Sequence, residues 1–402
     1  MSKSNFFSGQ PIFSQVIDLL SIPRINRIAR QHDTDRYCKK FKTYDHLIVM
    51  LYTIFNRCTS IREVVTGILA CQNKLHHLGM RYSIRKSTLS DANKRRMSNV
   101  FETIYLDLYN RCAKSLPDSQ SRKWFSRLYI MDSTTISLFQ EILKGAGLSA
   151  ANGKRKGGLK AHTLMKAEED VPQLVRLTAA ASNDTNFMRE INLPKGSILT
   201  FDRGYNDHSQ LIRWGNNKVT WVTRLRKLAV IDPVETKPVS HYHQSRGVVS
   251  DQLVRLGWHK KIEVRARIVI YHDAKENRTL EFLTNNLEFS PLTIAQIYQH
   301  RWQIETLFKR IKQNYPLRNF LGDNENAIKI QVWCALIADL LLKSISRQIK
   351  RVWSFTNLSS MIRLHLMTYI NLRKFLNNPE KALLEFYSLT VRPTAQKSLF
   401  AT

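Results

Sequence analysis

The spacing of apolar positions changes character twice along this chain. From residue 5 to about 116 they recur at helical intervals, most densely in Tyr44-Asp45-His46-Leu47-Ile48-Val49-Met50-Leu51-Tyr52, the pattern of a packed helix. Ser60 precedes Ile61-Arg62-Glu63-Val64-Val65, a Ser N-cap followed by an acidic residue three positions on. Pro117-Asp118-Ser119-Gln120-Ser121 reads as a linker. Short apolar runs then replace the helical period. Residues 128–132 predict a strand ending in Asp132, and 159–166 with 173–180 predict a hairpin around the acidic turn Glu168-Glu169-Asp170. Residues 198–202 predict a strand ending in Asp202, 207–214 a helix and 219–225 another strand. That order points to a mixed sheet with helices on its faces, an α/β arrangement.

From 228 to 285 the period is two, as in Ile262-Glu263-Val264-Arg265-Ala266-Arg267-Ile268, so an all-β insertion interrupts the α/β domain. The helical period returns around Glu305 and persists over 327–384. The expected segments are therefore 1–117, 118–227, 228–285, 286–345 and 346–402. The apolar run 332–342 is broken by Asp339 and is too short to span a bilayer.

Charge narrows the possibilities. The 402 residues include 62 Lys and Arg against 32 Asp and Glu, a net charge of +30 spread along the chain. A basic globular chain of this kind binds nucleic acid most often, because each neutralised phosphate releases condensed counterions. No basic amphipathic helix or lipidation signal argues for a membrane surface. Residues 87–96 place polar and basic side chains at a helix start, which suits either a short helix-turn-helix reader or an ordinary capped surface helix. Cys38, Cys58, Cys71, Cys112 and Cys334 form no CxxC pair, so buried free thiols are expected. The polar stretch 1–10 lacks a signal-peptide core, so a cytoplasmic protein is expected.

The candidate chemistry lies in Tyr298-Gln299-His300-Arg301-Trp302-Gln303-Ile304-Glu305 and Lys312. On one continuous helix with Tyr298 at zero, Arg301, Glu305 and Lys312 fall near about 300°, 340° and 320°, a single face. Ile304, Leu307, Phe308 and Ile311 supply an apolar flank. Such a face suits a metal ion held against a phosphodiester; a surface helix with an i,i+4 ion pair is the plain alternative. Asp132 and Asp202, each at the end of a predicted strand, supply two more hard oxygen donors of the kind Mg2+ takes. Either could instead serve a turn: Asp132 precedes Ser133-Thr134-Thr135, and Asp202 begins Asp202-Arg203-Gly204-Tyr205, where Gly204 permits a sharp bend. Asp184 reads as a helix cap or a residue behind the site. Lys154-Arg155-Lys156 opens a basic loop able to track a phosphate backbone. Trp258, beside His259-Lys260-Lys261, could receive an unstacked base or could simply pack. His241 and His243 read as a surface pair. No Walker-type loop and no Ser-nucleophile motif occurs.

These motifs resemble the DDE transposases of bacterial insertion sequences, in the family marked by Tyr, two residues, Arg, three residues, Glu, six residues, Lys (insertion-sequence family four). Tyr298, Arg301, Glu305 and Lys312 have that spacing; Tyr129-Ile130-Met131-Asp132-Ser133-Thr134 and Phe201-Asp202-Arg203-Gly204-Tyr205 match the two aspartate motifs. The commoner second motif, Asp-Arg-Glu-Gly-Tyr, is one residue longer, which leaves the part played by Arg203 open. The resemblance covers almost the whole chain. It implies an RNase H-like core interrupted by the β insertion, preceded by a helical DNA-binding domain and followed by C-terminal helices. It further implies that Asp132, Asp202 and Glu305 ligate two Mg2+ ions, for which Mn2+ can substitute, and that Tyr298, Arg301 and Lys312 hold phosphates. The partners implied are double-stranded DNA, both transposon ends and target, and a second copy of the chain in a homodimer, with neither membrane nor small-molecule substrate. A bacterial, nucleoid-associated protein performing cut-and-paste transposition, with a hairpin intermediate in related enzymes, is the expectation. A regulator that kept the scaffold without the chemistry, and a nuclease without strand transfer, are the alternatives.

Overall fold

A computed structural model describes residues 9–117, 124–137, 158–180, 182–205, 207–226, 229–257 and 263–390. Lys154, Arg155, Lys156 and Trp258 lie outside the described residues. The chain forms two compact units, one from Met1–Ser115 with Arg310–Thr402 and one from Leu116–Lys309.

The first unit is helical. Its Thr43–Asn56 helix is buried along nearly its whole length, as its dense apolar run requires. The Ile61–Ala70 helix is capped by Ser60, whose side chain accepts from the Glu63 N–H at 3.2 Å, while Glu63 Oε2 accepts from the Thr59 N–H at 2.7 Å. The Glu reaches one residue further back than in a standard capping box. The Glu325–Ser346 helix, nearly all of which falls in the expected segment 286–345, packs against Thr43–Asn56 and Asn99–Cys112 of the N-terminal segment. Asp339 interrupts its apolar run without breaking the helix, because Arg310 Nε and Nη2 donate to its carboxylate at 3.1 and 2.9 Å. No described helix is long and apolar enough to cross a membrane. All five cysteines are free.

The second unit is built on one mixed sheet. Its strands are β1 (Leu128–Ser137), β2 (Gly158–Lys166), β3 (Val171–Ala179), β4 (Ile198–Phe201), β5 (Thr220–Arg224), β6 (Ile231–Thr236), β7 (Val248–Leu256), β8 (Val264–Asp273) and β9 (Arg278–Thr284). Among the described residues the spatial order is β3-β2-β1-β4-β5-β9-β8-β7-β6. The pairs β1–β4 and β4–β5 are parallel and the others antiparallel. The hairpin expected around Glu168-Glu169-Asp170 is β2–β3. The segment read as an all-β insertion supplies β6 to β9, with one short helix, His241–Gln244. It is no separate sheet: β9 pairs with β5 from Val222↔Thr284 to Arg224↔Phe282, covering an edge that would otherwise present unpaired N–H and C=O groups.

One face of this sheet buries Met131, Leu199, Phe201, Trp214 and Trp221, continuing into Ala266 and Ile268 of β8. Both buried indoles find acceptors: Trp214 Nε1 donates to Ile191 O at 3.3 Å and Trp221 Nε1 to Leu211 O at 3.1 Å. The helix Pro291–Gln299 packs on β4, β5, β7, β8 and β9. Its approach is fixed by Arg267 on β8, which pairs with Asp251 on β7 through two 2.7 Å bonds and donates to Phe289 O at 2.7 Å.

Candidate active site

The site begins with two parallel strands. β1 and β4 pair from Leu128↔Ile198 to Met131↔Phe201, and the residues next in register are Asp132 and Asp202. Both lie at the carboxyl end of the parallel ladder, where open α/β sheets place their ligands. The expected strand end at Asp132 is corrected: β1 continues to Ser137, paired with β2 alone, because Ser133, Thr134 and Thr135 are acceptable strand residues although they end the apolar run. Asp202 does follow its strand and makes a local turn, its Oδ2 accepting from the Gly204 N–H at 3.3 Å. Gly204 is not needed there for a left-handed φ, and an added Cβ would meet Asp202 Oδ2 at an ordinary 3.6 Å.

The Glu305 segment is two helices rather than one. Pro291–Gln299 ends, His300 and Arg301 form a turn, and Trp302–Asn314 begins anew. The N–H groups of Arg301, Gln303 and Ile304 bond three residues back, to Tyr298, His300 and Arg301, so the winding tightens and the single-face projection from Tyr298 to Lys312 does not hold. His300 anchors the break between Trp124 and Phe125, with ring centroids 5.7 and 4.9 Å away. The apolar flank Ile304, Leu307, Phe308 and Ile311 is buried as the sequence indicates.

This break aims Arg301 at two carboxylates. Nη1 donates to Asp132 Oδ2 at 3.0 Å and Nη2 to Glu305 Oε1 at 2.6 Å. Asp132 and Arg301 are 169 positions apart in sequence. The second Asp132 oxygen, Oδ1, accepts from the Ser133 N–H at 2.8 Å. Arg301 Cζ lies 5.7 Å from the Tyr298 ring and 5.4 Å from that of Trp302. Tyr298 is itself buried and stacks at 5.1 Å on Phe282 of β9.

The electrostatics are those of a cluster of acids around a cation. Burial raises the Asp132 carboxyl to about 6; the Ser133 N–H and Arg301 oppose that rise, and the charges of Asp202 and Glu305 add to it. Burial alone would lower Arg301, yet Tyr298, Glu305 and Asp132 raise it overall. Tyr298 and Tyr205 are both raised, chiefly by burial, and keep their protons.

Other residues singled out in the sequence lie as follows. Arg203 is half-buried, and its carbonyl accepts from Arg226 Nε at 3.1 Å. Lys312 is exposed on the Trp302–Asn314 helix and belongs to the helical unit, with its ammonium lowered by desolvation. His241 and His243 are both on the surface. Asp184 is the first residue of the Asp184–Glu190 helix, whose cap is Asn183. His162 and Arg267 are buried polar residues beside the site or beneath its supporting helix that the sequence did not single out, and Lys160, the last residue of the basic loop expected from 154 on, is half-buried on β2.

Among the described residues, no three Asp, Glu, His or Cys side chains stand close enough to grip one metal ion together. Mg2+ does not require that, since it is commonly held by one or two carboxylates together with substrate phosphates. The donor chemistry fits: Asp132 and Glu305 offer hard oxygens to a shared cation, here the Arg301 guanidinium, and the rise of Asp132, due first to burial with the charges of Asp202 and Glu305 adding to it, is one that a bound cation would oppose.

The family described as Transposase DDE domain matches residues 123–341 of this chain, and residues 8–81 match a domain of unknown function, DUF4372. A putative transposase of Sinorhizobium fredii is 32% identical over 263 residues, covering 64% of this chain and 71% of that protein. A probable transposase for insertion sequence element IS5377 of Geobacillus stearothermophilus is 27% identical, over 66% of this chain and 68% of its own. A putative transposase for insertion sequence element IS4SA of Synechocystis is 26% identical, over 64% and 70%. With the matched domain spanning more than half its length and including Asp132, Asp202 and Glu305, the chain belongs to the DDE-domain transposases.

Proposed function

We propose that this transposase moves an insertion sequence of the family-four type by cut-and-paste, using Asp132, Asp202 and Glu305 as its catalytic carboxylates in an RNase H-like core. The observation that supports this most directly is the Arg301 bridge, which ties Asp132 on β1 to Glu305 on the following helix. A protein has little reason to bury a guanidinium between two carboxylates at the end of a parallel ladder unless that place handles charge.

Asp132, Asp202 and Glu305 would hold divalent cations, Mg2+ in the first instance. When bound, such cations activate the attacking oxygen and stabilise the leaving oxygen of an in-line phosphoryl transfer. The chain's own contribution is placement. The β1–β4 ladder sets the two aspartates side by side, and the Ser133 N–H and Arg301 fix both oxygens of Asp132. Arg301, five donors on a rigid fork, can also present charge to a phosphate of the DNA end. Tyr298 acts through Arg301, since its ring is buried against that side chain. Lys312, Arg203 and the Lys154-Arg155-Lys156 loop are proposed phosphate contacts, and Trp258 a platform for an unstacked base if a hairpin forms. The N-terminal helices are proposed to read terminal inverted repeats, with two copies of the chain pairing two ends in the bacterial cytoplasm.

The test is a linear duplex carrying the inverted repeats that flank the coding sequence, incubated with full-length protein and Mg2+. Cleavage at the repeat ends, lost on adding chelator and in Asp132→Ala, is the expected result. Joining of the freed 3′-OH into a plasmid separates a transposase from a nuclease. Binding of the repeats without metal-dependent cleavage by the wild-type protein would leave only a DNA-binding regulator.

A further inference from the structure

We propose that Asp184 is a positioning residue that holds the Asp132 segment of β1 in its working orientation. The structure brings two donors and an imidazole onto one of its oxygens. Ser133 Oγ donates to Asp184 Oδ1 at 3.2 Å, Lys160 Nζ donates to the same oxygen at 3.2 Å, and His162 Nδ1 stands 3.3 Å from it. These come from two neighbouring strands, Ser133 on β1 opposite His162 on β2, with Lys160 two residues away on the same face. Lys160 also donates to Ser182 O at 3.1 Å, so the loop before Asp184 is tied to β2.

The arrangement behind Asp184 is fixed. His162 is almost wholly buried, lies stacked on Phe187 with centroids 5.4 Å apart, and shares a 2.9 Å hydrogen bond with Thr178 Oγ1. Its imidazole is lowered by burial. Nε2 makes that bond, so Nδ1 is the nitrogen left facing Asp184. Asp184 heads the helix that contains Phe187, so helix, strand and carboxylate are mutually constrained.

The link to the reaction runs through residue 133. Its backbone N–H donates to one oxygen of the Asp132 carboxylate, and its hydroxyl is held by Asp184. Releasing Ser133 Oγ removes the side-chain restraint on the peptide that orients Asp132 Oδ1 and leaves only its pairing with β2. Outer hydrogen-bond partners of this kind typically alter metal affinity or activity by about 10- to 100-fold when removed. The proposal rests on Asp132 acting as proposed above.

The experiment compares full-length wild type with Asp184→Ala, Asp184→Asn, Ser133→Ala and the Ser133→Ala/Asp184→Ala pair. Mn2+ affinity is read from free Mn2+ by electron paramagnetic resonance, and cleavage of the inverted-repeat duplex is read at saturating protein. Asp184→Ala should weaken Mn2+ binding about tenfold and slow cleavage at least as much, while duplex affinity stays within about twofold. Asp184→Asn should recover to within about threefold of wild type, because its amide oxygen still accepts from Ser133 and Lys160. The double variant should lose no more than Asp184→Ala, the signature of one shared path. Wild-type Mn2+ affinity in Asp184→Ala would overturn the proposal, as would an Asn variant as impaired as Ala. If Asp184→Ala fails to fold, Ser133→Ala against wild type decides in the same way. A wild-type protein that binds Mn2+ without cleaving removes the transposition reading and leaves the Mn2+ comparison to judge Asp184; one that binds no Mn2+ removes both.

Discussion

Asp132 and Asp202 are next-in-register neighbours, because Met131 and Phe201, the residues just before them, form the last rung of the parallel ladder between β1 and β4. Seventy positions of sequence separate the two aspartates, and one shared hydrogen-bonded ladder removes that distance. Neither side chain is required by the core beneath, which Met131 and Phe201 fill. Asp132→Asn, Asp202→Asn and Glu305→Gln should therefore each lower duplex cleavage by roughly 10^3-fold or more. Binding of the repeat duplex should persist in all three, since a basic surface holds it. A cleavage assay beside a gel-shift titration checks this, and an Asp202→Asn protein that cleaves normally would remove Asp202 from the site.

Asp132 also has a stability signature. Its carboxyl ordinarily titrates at 3.8 and in the fold at about 6, with burial the largest cause. Between those values the folded protein binds more protons than the unfolded chain. Stability therefore falls as pH rises through that window, by about 2–3 kcal/mol for this one group. Asp132→Asn lacks the titration. In chelator-treated protein, its unfolding free energy should exceed that of wild type by about 2–3 kcal/mol more at pH 7 than below pH 4. Urea unfolding at the two pH values measures this, and a pH-independent difference would contradict the burial of that carboxylate.

Arg301 is the counter-charge of the site, with its side chain 9% exposed. Removing it leaves Asp132 largely buried without its partner and Glu305, more open at 37%, without its closest cation. Arg301→Ala should cost about 2–4 kcal/mol of stability in metal-free protein. Arg301→Lys should recover part of that, since an ammonium restores the charge without the planar fork that reaches both carboxylates. Chemical denaturation midpoints decide it. A neutral Arg301→Ala would show that the bridge is not formed in solution.

Much of this site was visible in the sequence, and the parts that were not share a cause. The strands carrying Asp132 and Asp202 stand out as apolar runs, and Ile304, Leu307, Phe308 and Ile311 mark the buried side of the Glu305 helix. Local pattern reports which side of an element is buried and says little about its partner. The pairing of β5 with β9 was therefore not legible, nor was the packing of Glu325–Ser346 against the N-terminal helices. The turn at His300 and Arg301 was missed because neither residue is a helix breaker. It depends on where Trp124 and Phe125 hold the His300 ring. Asp184 resembles a cap locally, and only the strand register that places Ser133 opposite His162 shows what its carboxylate binds.

Arg267 offers a test of the supporting structure apart from the carboxylates. It is paired with Asp251 at 2.7 Å through both Nε and Nη2, and both side chains are nearly inaccessible. Its Nη1 fastens the loop that leads into the helix bearing Tyr298. Arg267→Met should cost about 3–5 kcal/mol, because Asp251 is left buried and unpaired. Arg267→Met with Asp251→Leu should recover most of that loss, as two apolar groups can replace a buried pair at little net cost. Urea unfolding of the two variants separates these outcomes. Equal destabilisation in single and double variants would mean that the bond to Phe289 O, rather than the ion pair, holds the loop.

Lys312 tests the proposed contact with DNA. It is exposed on the helix that starts with Trp302, seven residues after Glu305, and partial desolvation lowers its ammonium. A lysine that neutralises one phosphate contributes about one released counterion, so its removal should flatten the plot of log affinity against log salt by about 0.9. Lys312→Ala should accordingly bind the repeat duplex less tightly at low salt, with the deficit shrinking as salt rises. The same change should appear on unrelated duplexes, because a phosphate contact has no sequence preference. Fluorescence anisotropy over a range of NaCl concentrations supplies the slope. A parallel displacement of the line, weaker at every salt with the slope unchanged, would assign Lys312 to holding its own helix and not to the DNA backbone.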